Sequence, residues 1–252
     1  MWEDDDPHSI RSRYRHYEPE DQRAGASIKP GYEIVTPGPQ RVYHFEFKPS
    51  YNVAPRKVGK IEFSRTELWQ LGVAWAVLIM AFSMWLSRGG FYDWDPGWII
   101  IGACVSSFTG FLLHELGHKV SANLLGHWSE FRYSVRGLIF TFLISSTGFL
   151  AAAPGAVVIA GNVSKDDEGI ISICGPAVNI TIGFISLGIL SFFRDSFSDT
   201  AAEVLEFVIL VNAILAAFNL IPVWVLDGKK ILSWSPPIYA VAWVLVIFLW
   251  FT

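Results

Sequence analysis

His114-Glu115-Leu116-Gly117-His118 sets two imidazoles four residues apart, with a carboxylate beside the first. On a helix, positions i and i+4 stand one turn apart on one face, so both rings can reach one ion. Glu115 then points beside that ion, where it can take a proton from water. The motif lies inside an apolar stretch, Gly97–Leu125. Ionisable side chains in such a stretch are costly unless paired or functional. The chemistry this predicts is metal-assisted hydrolysis. A catalytic zinc site takes three protein ligands and leaves one position open, so a third ligand must come from elsewhere. His8, His16 and His44 fall in a polar N-terminal stretch and His127 follows the motif in a loop; all four read as surface histidines.

The residues offer Asp227 as that third ligand, 109 positions beyond His118, in Phe218-Asn219-Leu220-Ile221-Pro222-Val223-Trp224-Val225-Leu226-Asp227-Gly228. Pro222 interrupts helical bonding, so the chain can unwind here and turn a carboxylate inward. Irregular backbone at membrane depth is tolerated only where protein or a wet cavity surrounds it. The same residues equally allow an ordinary helix end with Asp227 in water, and composition does not choose between the two.

The elements that must position these groups are set by composition. Of 252 residues, 52% are hydrophobic and 17% charged, where a soluble domain carries about 25% charged. Residues 1–66 hold 21 Asp, Glu, Lys and Arg, and the remaining 186 residues hold another 21. Residues 1–66 therefore read as a polar cytosolic N-terminal region and residues 67–252 as a membrane-embedded domain, with the lipid bilayer as partner. Residues 1–23 contain no apolar run that would serve as a secretory signal. Residues 1–28 read as disordered. Tyr32–Thr36 and Arg41–Phe47, around Pro37-Gly38-Pro39, read as two short strands of a small β unit. A net charge of −4 argues against nucleic acid as a partner. Cys104 and Cys174 form neither a disulfide framework nor a thiolate zinc site. Oligomeric state is not legible.

Five runs approach the ~20 residues needed to cross a bilayer: Leu68–Leu86, Gly97–Leu125, Ile170–Phe193, Glu203–Ile221 and Pro237–Phe251. Trp85, Trp94 and Trp98 near span ends read as interfacial aromatics. A sixth run, Gly137–Ala153, is shorter and broken by Ser145-Ser146-Thr147-Gly148. If it crossed fully, His118 and Asp227 would lie on opposite faces. If it enters and returns, they share one. Positive charge gives an independent test. With a re-entrant segment, Arg56, Lys57, Lys60, Arg65, Lys119, Arg132, Arg136, Lys165, Lys229 and Lys230 are cytosolic and only Arg88 and Arg194 are outside. Full crossing gives eight against four instead of ten against two. The fold predicted is an all-α polytopic membrane protein of about five transmembrane helices, a re-entrant segment and a small β-hairpin. Its metal lies ~10 Å or more from the end of the motif helix, in a polar cavity open to the cytosol.

Three elements occur in one order: His114–His118, then Gly175-Pro176-Ala177-Val178-Asn179, then Asn219 through Gly228. Together they resemble the site-2 proteases, intramembrane zinc metalloproteases, over residues 65–235, with archaeal and bacterial members the most similar. The resemblance implies that His114, His118 and Asp227 bind Zn2+ and that Glu115 is general base and proton shuttle. It implies that Asn219 holds the substrate backbone, with a related or structural role for Asn179. It also likens Ala153–Ile159 to the start of a β-hairpin whose Gly155, Ala156 and Val157 present an edge to an extended substrate; a plain β connection is the alternative.

The reaction so implied is peptide-bond hydrolysis within or near a transmembrane segment of a protein substrate, in the plasma membrane. Two alternatives remain. One is a membrane protease with a glutamate third ligand, for which Glu203 and Glu206 are the candidates. The other is an inactive zinc-binding receptor of the same fold, which would have no use for Glu115.

Overall fold

Lipid offers backbone groups no hydrogen bonds, so an apolar chain satisfies them within helices. The computed structural model describes residues 61–89, 94–148, 150, 152–223 and 225–251. The disordered stretch expected at 1–28 lies outside the described residues, as do the strands expected at 32–47. The chain divides after Pro55, and every described residue belongs to the unit Arg56–Thr252.

In chain order the elements are α1 (Arg65–Gly89), α2 (Pro96–Ser107), α3 (Leu113–Leu124), β1 (Trp128–Tyr133), α4 (Val135–Ser146), β2 (Gly155–Ala160), α5 (Lys165–Phe193), α6 (Asp199–Leu220), α7 (Asp227–Trp234) and α8 (Pro236–Trp250). A π-helical turn, Phe108–Leu112, joins α2 to α3, so Pro96–Leu124 runs on as one 29-residue helix. Among the described residues, that helix, α1, α5 and α6 are the four long and apolar enough to cross a membrane. The fifth expected span is α8, whose 15 residues extend about 22 Å, short of the ~30 Å hydrocarbon core.

Capping fixes where the long helices begin. Asp95 Oδ1 accepts the Gly97 and Trp98 N–H groups, and Pro96 occupies the first helical turn. Ser164 caps α5 ahead of Asp166, Asp167 and Glu168, where negative charge suits the helix dipole. Trp85 and Trp94, expected at the interface, are instead buried against Phe207. Trp85 stacks on its ring at 5.6 Å, Trp94 meets it edge-on at 6.1 Å, and the Trp94 indole donates to Glu203 Oε2 at 2.6 Å. An indole with an internal acceptor gains nothing from the headgroup region.

The Gly137–Ala153 run enters and returns. Helix α4 covers only about 18 Å, and Ser134 N–H then meets the Pro154 carbonyl at 2.8 Å. Its far tip is held by α1, where the Trp85 indole donates to Gly148 C=O (2.9 Å) and Arg88 to Ser146 C=O (2.7 Å). Thr141 Oγ1 accepts Ala153 N–H on the way back. These partners let non-helical backbone sit within the helices. The strand after it, β2, makes no hairpin of its own. It pairs antiparallel with β1, Tyr133 opposite Gly155 and Trp128 opposite Ala160. Strand β1 begins directly after the His127 loop, and its Trp-Ser-Glu-Phe-Arg-Tyr run is rich in the aromatics that strands favour.

A candidate metal centre beside an open strand edge

The motif helix presents both imidazoles with their outward nitrogens fixed. His118 Nδ1 lies 2.8 Å from the Ile171 carbonyl, which can only accept, so Nδ1 carries the proton. His114 Nδ1 lies 2.5 Å from Asn179 Oδ1. The Asn179 amide donates in turn to Gly110 C=O in the π turn (2.9 Å) and to Asn212 Oδ1 (3.1 Å), and Asn212 donates to Thr109 Oγ1. Asn179 is thus fully buried behind His114 with its donors and acceptor engaged. Both Nε2 atoms are left as lone pairs, the arrangement metal-binding histidines adopt.

Those two Nε2 atoms are 3.0 Å apart, and Asp227 Oδ2 lies 3.6 Å from His114 Nε2 and 3.2 Å from His118 Nε2. Ligand atoms on a tetrahedral zinc, with bonds of 2.0–2.1 Å, are separated by about 3.3 Å. Two histidines and a carboxylate at this spacing, with second nitrogens engaged elsewhere, fit a zinc ion. Among the described residues these three are the group that could hold one.

Asp227 reaches the histidines because α6 stops at Leu220 and residues 221–223, 225 and 226 are non-helical, as Pro222 suggested. The sequence did not reveal that Asp227 opens a new helix pressed onto the end of α6. A Cβ at Gly228 would come within 2.1 Å of the Leu220 carbonyl oxygen, which explains the Asp-Gly pair. Gly175 is constrained likewise. Its Cβ would fall 2.3 Å from His118 Nε2 and 2.6 Å from His114 Nε2.

Glu115 is buried beside the three ligands, and its Oε2 has no hydrogen-bond partner among the described residues. The carboxylate accepts the backbone N–H of Val157. Strand β2 therefore runs past Glu115, and Gly155, Ala156, Val157, Val158 and Ile159 all border a cavity of about 610 Å3. His114, Glu115, His118, Asn219 and Asp227 border the same space. Asn219 Nδ2 is held by the Leu215 carbonyl at 2.9 Å. The cavity contains the groups expected from the sequence except Asn179.

The remaining candidates fall elsewhere. Glu203 is bonded to Trp94, and it stands sixteen residues, about 24 Å along α6, from Asn219. Glu206 is exposed. His127 is half-buried and contacts Asp167 Oδ2 at 3.0 Å, away from the three ligands. Lys119, expected among the cytosolic cations, is buried and paired with Glu67. It carries no positive surface charge, so the sequence tally loses that residue. Sequence reasoning missed this pair, whose only signal is a glutamate at the start of one span and a lysine inside another.

A model of peptidase family M50 matches residues 194–235, from the turn before α6 through α7. MJ0611 of Methanocaldococcus jannaschii, provisionally named a zinc metalloprotease, is 32% identical over 145 residues, 57% of this chain and 75% of that protein. The zinc metalloprotease MJ0392 of the same organism is 30% identical over 125 residues, 50% of this chain and 31% of its own. No solved structure matches the chain.

Proposed function

This chain belongs to the site-2 proteases, peptidase family M50, and on that premise we propose that it is a zinc-dependent intramembrane endopeptidase. Its substrate is the transmembrane segment of another membrane protein. The observation that carries the reading is Glu115, whose partnerless buried oxygen lies between three metal-competent side chains and a strand edge. A buried polar oxygen without a partner costs on the order of 2–7 kcal/mol, and a purely structural metal site has no need of it. That feature disfavours the inactive receptor, while the position of Glu203 and Glu206 disfavours a glutamate ligand.

His114, His118 and Asp227 would hold the zinc, with Asn179 and Ile171 fixing the two rings. The ion would supply a Lewis acid that activates water and polarises the scissile carbonyl. Glu115 takes the proton of the attacking water and delivers it to the leaving amine. A helical substrate hides its peptide bonds, so the segment must unwind before it can pair with the outward edge of β2 at Gly155, Val157 and Ile159. Asn219, which borders the same cavity, would hold its backbone.

The sequence tally of positive charge supports a cytosolic opening, which remains lopsided without Lys119, at nine against two. The protein then resides in the plasma membrane with its N-terminus in the cytosol.

Co-expression with a single-span test protein carrying a Gly-Pro pair in its span tests the activity. Wild type should release a shortened fragment and Glu115→Gln should not, while both retain zinc. Undiminished cleavage by Glu115→Gln would refute the assignment of the base.

A further inference from the structure

Among the described residues, Glu67 and Lys119 form an ion pair away from the metal-competent side chains, and both partners are buried. Lys119 Nζ lies 2.9 Å from both carboxylate oxygens of Glu67, and their side chains are 2% and 0% exposed. Lys119 follows His118 directly on the motif helix, whereas Glu67 sits in the first turn of α1. The Phe63 ring covers the ammonium at 4.7 Å. No step of the proposed hydrolysis uses either residue.

What the pair touches is the backbone of β1. Lys119 donates to Ser129 C=O (2.9 Å), Glu67 Oε1 accepts Phe131 N–H (2.9 Å), and one turn further along α1 Gln70 Oε1 accepts Tyr133 N–H (3.1 Å). Residues 129, 131 and 133 alternate, so their backbone groups turn away from β2, along β1's outer edge. Arg132 also donates to Phe131 C=O. The same alternation turns Gly155, Val157 and Ile159 outward on β2, and Val157 N–H follows it by reaching Glu115. One edge of this two-stranded sheet is closed by side chains, and the other faces the cavity.

We propose that Glu67 and Lys119 are positioning residues that close the outer edge of β1 and lock the sheet to the motif helix. They thereby fix which peptide bond of a substrate strand on β2 lies beside Glu115. This rests on the strand-pairing part of the proteolytic reading. A strand's side chains repeat every two residues, so a loosened sheet admits substrate shifted by two residues without changing which groups face the enzyme. The selection of the scissile bond thus depends on a pair that touches neither metal nor substrate.

The test uses the full-length enzyme in lipid vesicles with the single-span Gly-Pro protein. Glu67→Gln/Lys119→Met removes both charges and keeps the acceptor for Phe131 and most of the volume. It should retain one zinc per chain, raise KM about tenfold, equivalent to ~1.4 kcal/mol, and leave kcat within about threefold. Mass spectrometry of the fragments should show a second cut two residues from the first. Gln70→Met, which buries no unpaired charge, should produce the same second cut with a smaller rise in KM. Unchanged KM and a single cut in Gln70→Met, together with either the same result or failed folding in the double variant, would overturn the proposal. So would a loss confined to kcat. Absence of cleavage by wild type would instead refute the proteolytic reading itself.

Discussion

Replacing Gly175 by Ala should cripple metal binding while leaving the fold in place. The new methyl would lie 2.3 Å from His118 Nε2 and 2.6 Å from both His114 Nε2 and His118 Cε1. An ordinary carbon–nitrogen contact is about 3.4 Å, so the rings must retreat by roughly 1 Å. Zinc–ligand distances tolerate about 0.2 Å. Retreat also stretches the bonds holding the rings, at Asn179 Oδ1 and at the Ile171 carbonyl. Each is worth about 1–1.5 kcal/mol, so zinc should bind 2–3 kcal/mol more weakly, or roughly 30- to 150-fold. Competition with a chromogenic chelator on purified protein in detergent measures this directly. Gly72→Ala is the matched control, because a Cβ there meets nothing within 4 Å, and its affinity should be unchanged. If Gly175→Ala binds zinc within threefold of wild type, the geometry assigned to the two imidazoles is wrong.

Asp227→Ala should lose zinc from the purified protein and Glu206→Ala should keep it, as measured by metal analysis; the reverse pattern would restore the glutamate-ligand alternative. Asn179→Ala should weaken zinc 10- to 100-fold, the usual effect of removing a partner behind a ligand, and a loss of substrate affinity with zinc binding intact would place Asn179 in the cavity instead. Lys119→Met alone strands a buried carboxylate and should destabilise by about 3–5 kcal/mol. Adding Glu67→Gln should recover most of that loss in thermal unfolding, and no recovery would show that the two residues are not coupled.

The metal-competent motif was legible because its chemistry is written locally. His114, Glu115 and His118 declare themselves by one helical turn. Asp227 was evenly balanced between site and solvent on its residues alone, and only the resemblance singled it out; the even number of crossings that a shared site requires, with the positive-charge tally, then favoured a re-entrant run. What stayed hidden depends on side-chain partners far apart in the chain. Nothing in Trp128–Tyr133 states that its backbone groups would find Glu67, Gln70 and Lys119, and the run received no assignment from sequence. Trp85 and Trp94 misled for a related reason: an indole near a span end looks interfacial until its acceptor is located. The 15-residue extent of α8 was legible from its apolar run to within one residue at each end.

The grip of α1 on the re-entrant loop separates two kinds of change. Trp85 and Arg88 hold its tip, and Glu67 and Gln70, 15 to 21 residues back along the same helix, hold the strand that pairs with its exit. The three metal-competent side chains stand on α3 and α7, with α5 behind the two histidines. Bilayer thickness acts on helix tilt, so stretching or thinning the lipid around α1 would load the Glu67–Lys119 contact through which α1 and β1 meet the motif helix. Such an enzyme could be throttled by its membrane while fully loaded with metal.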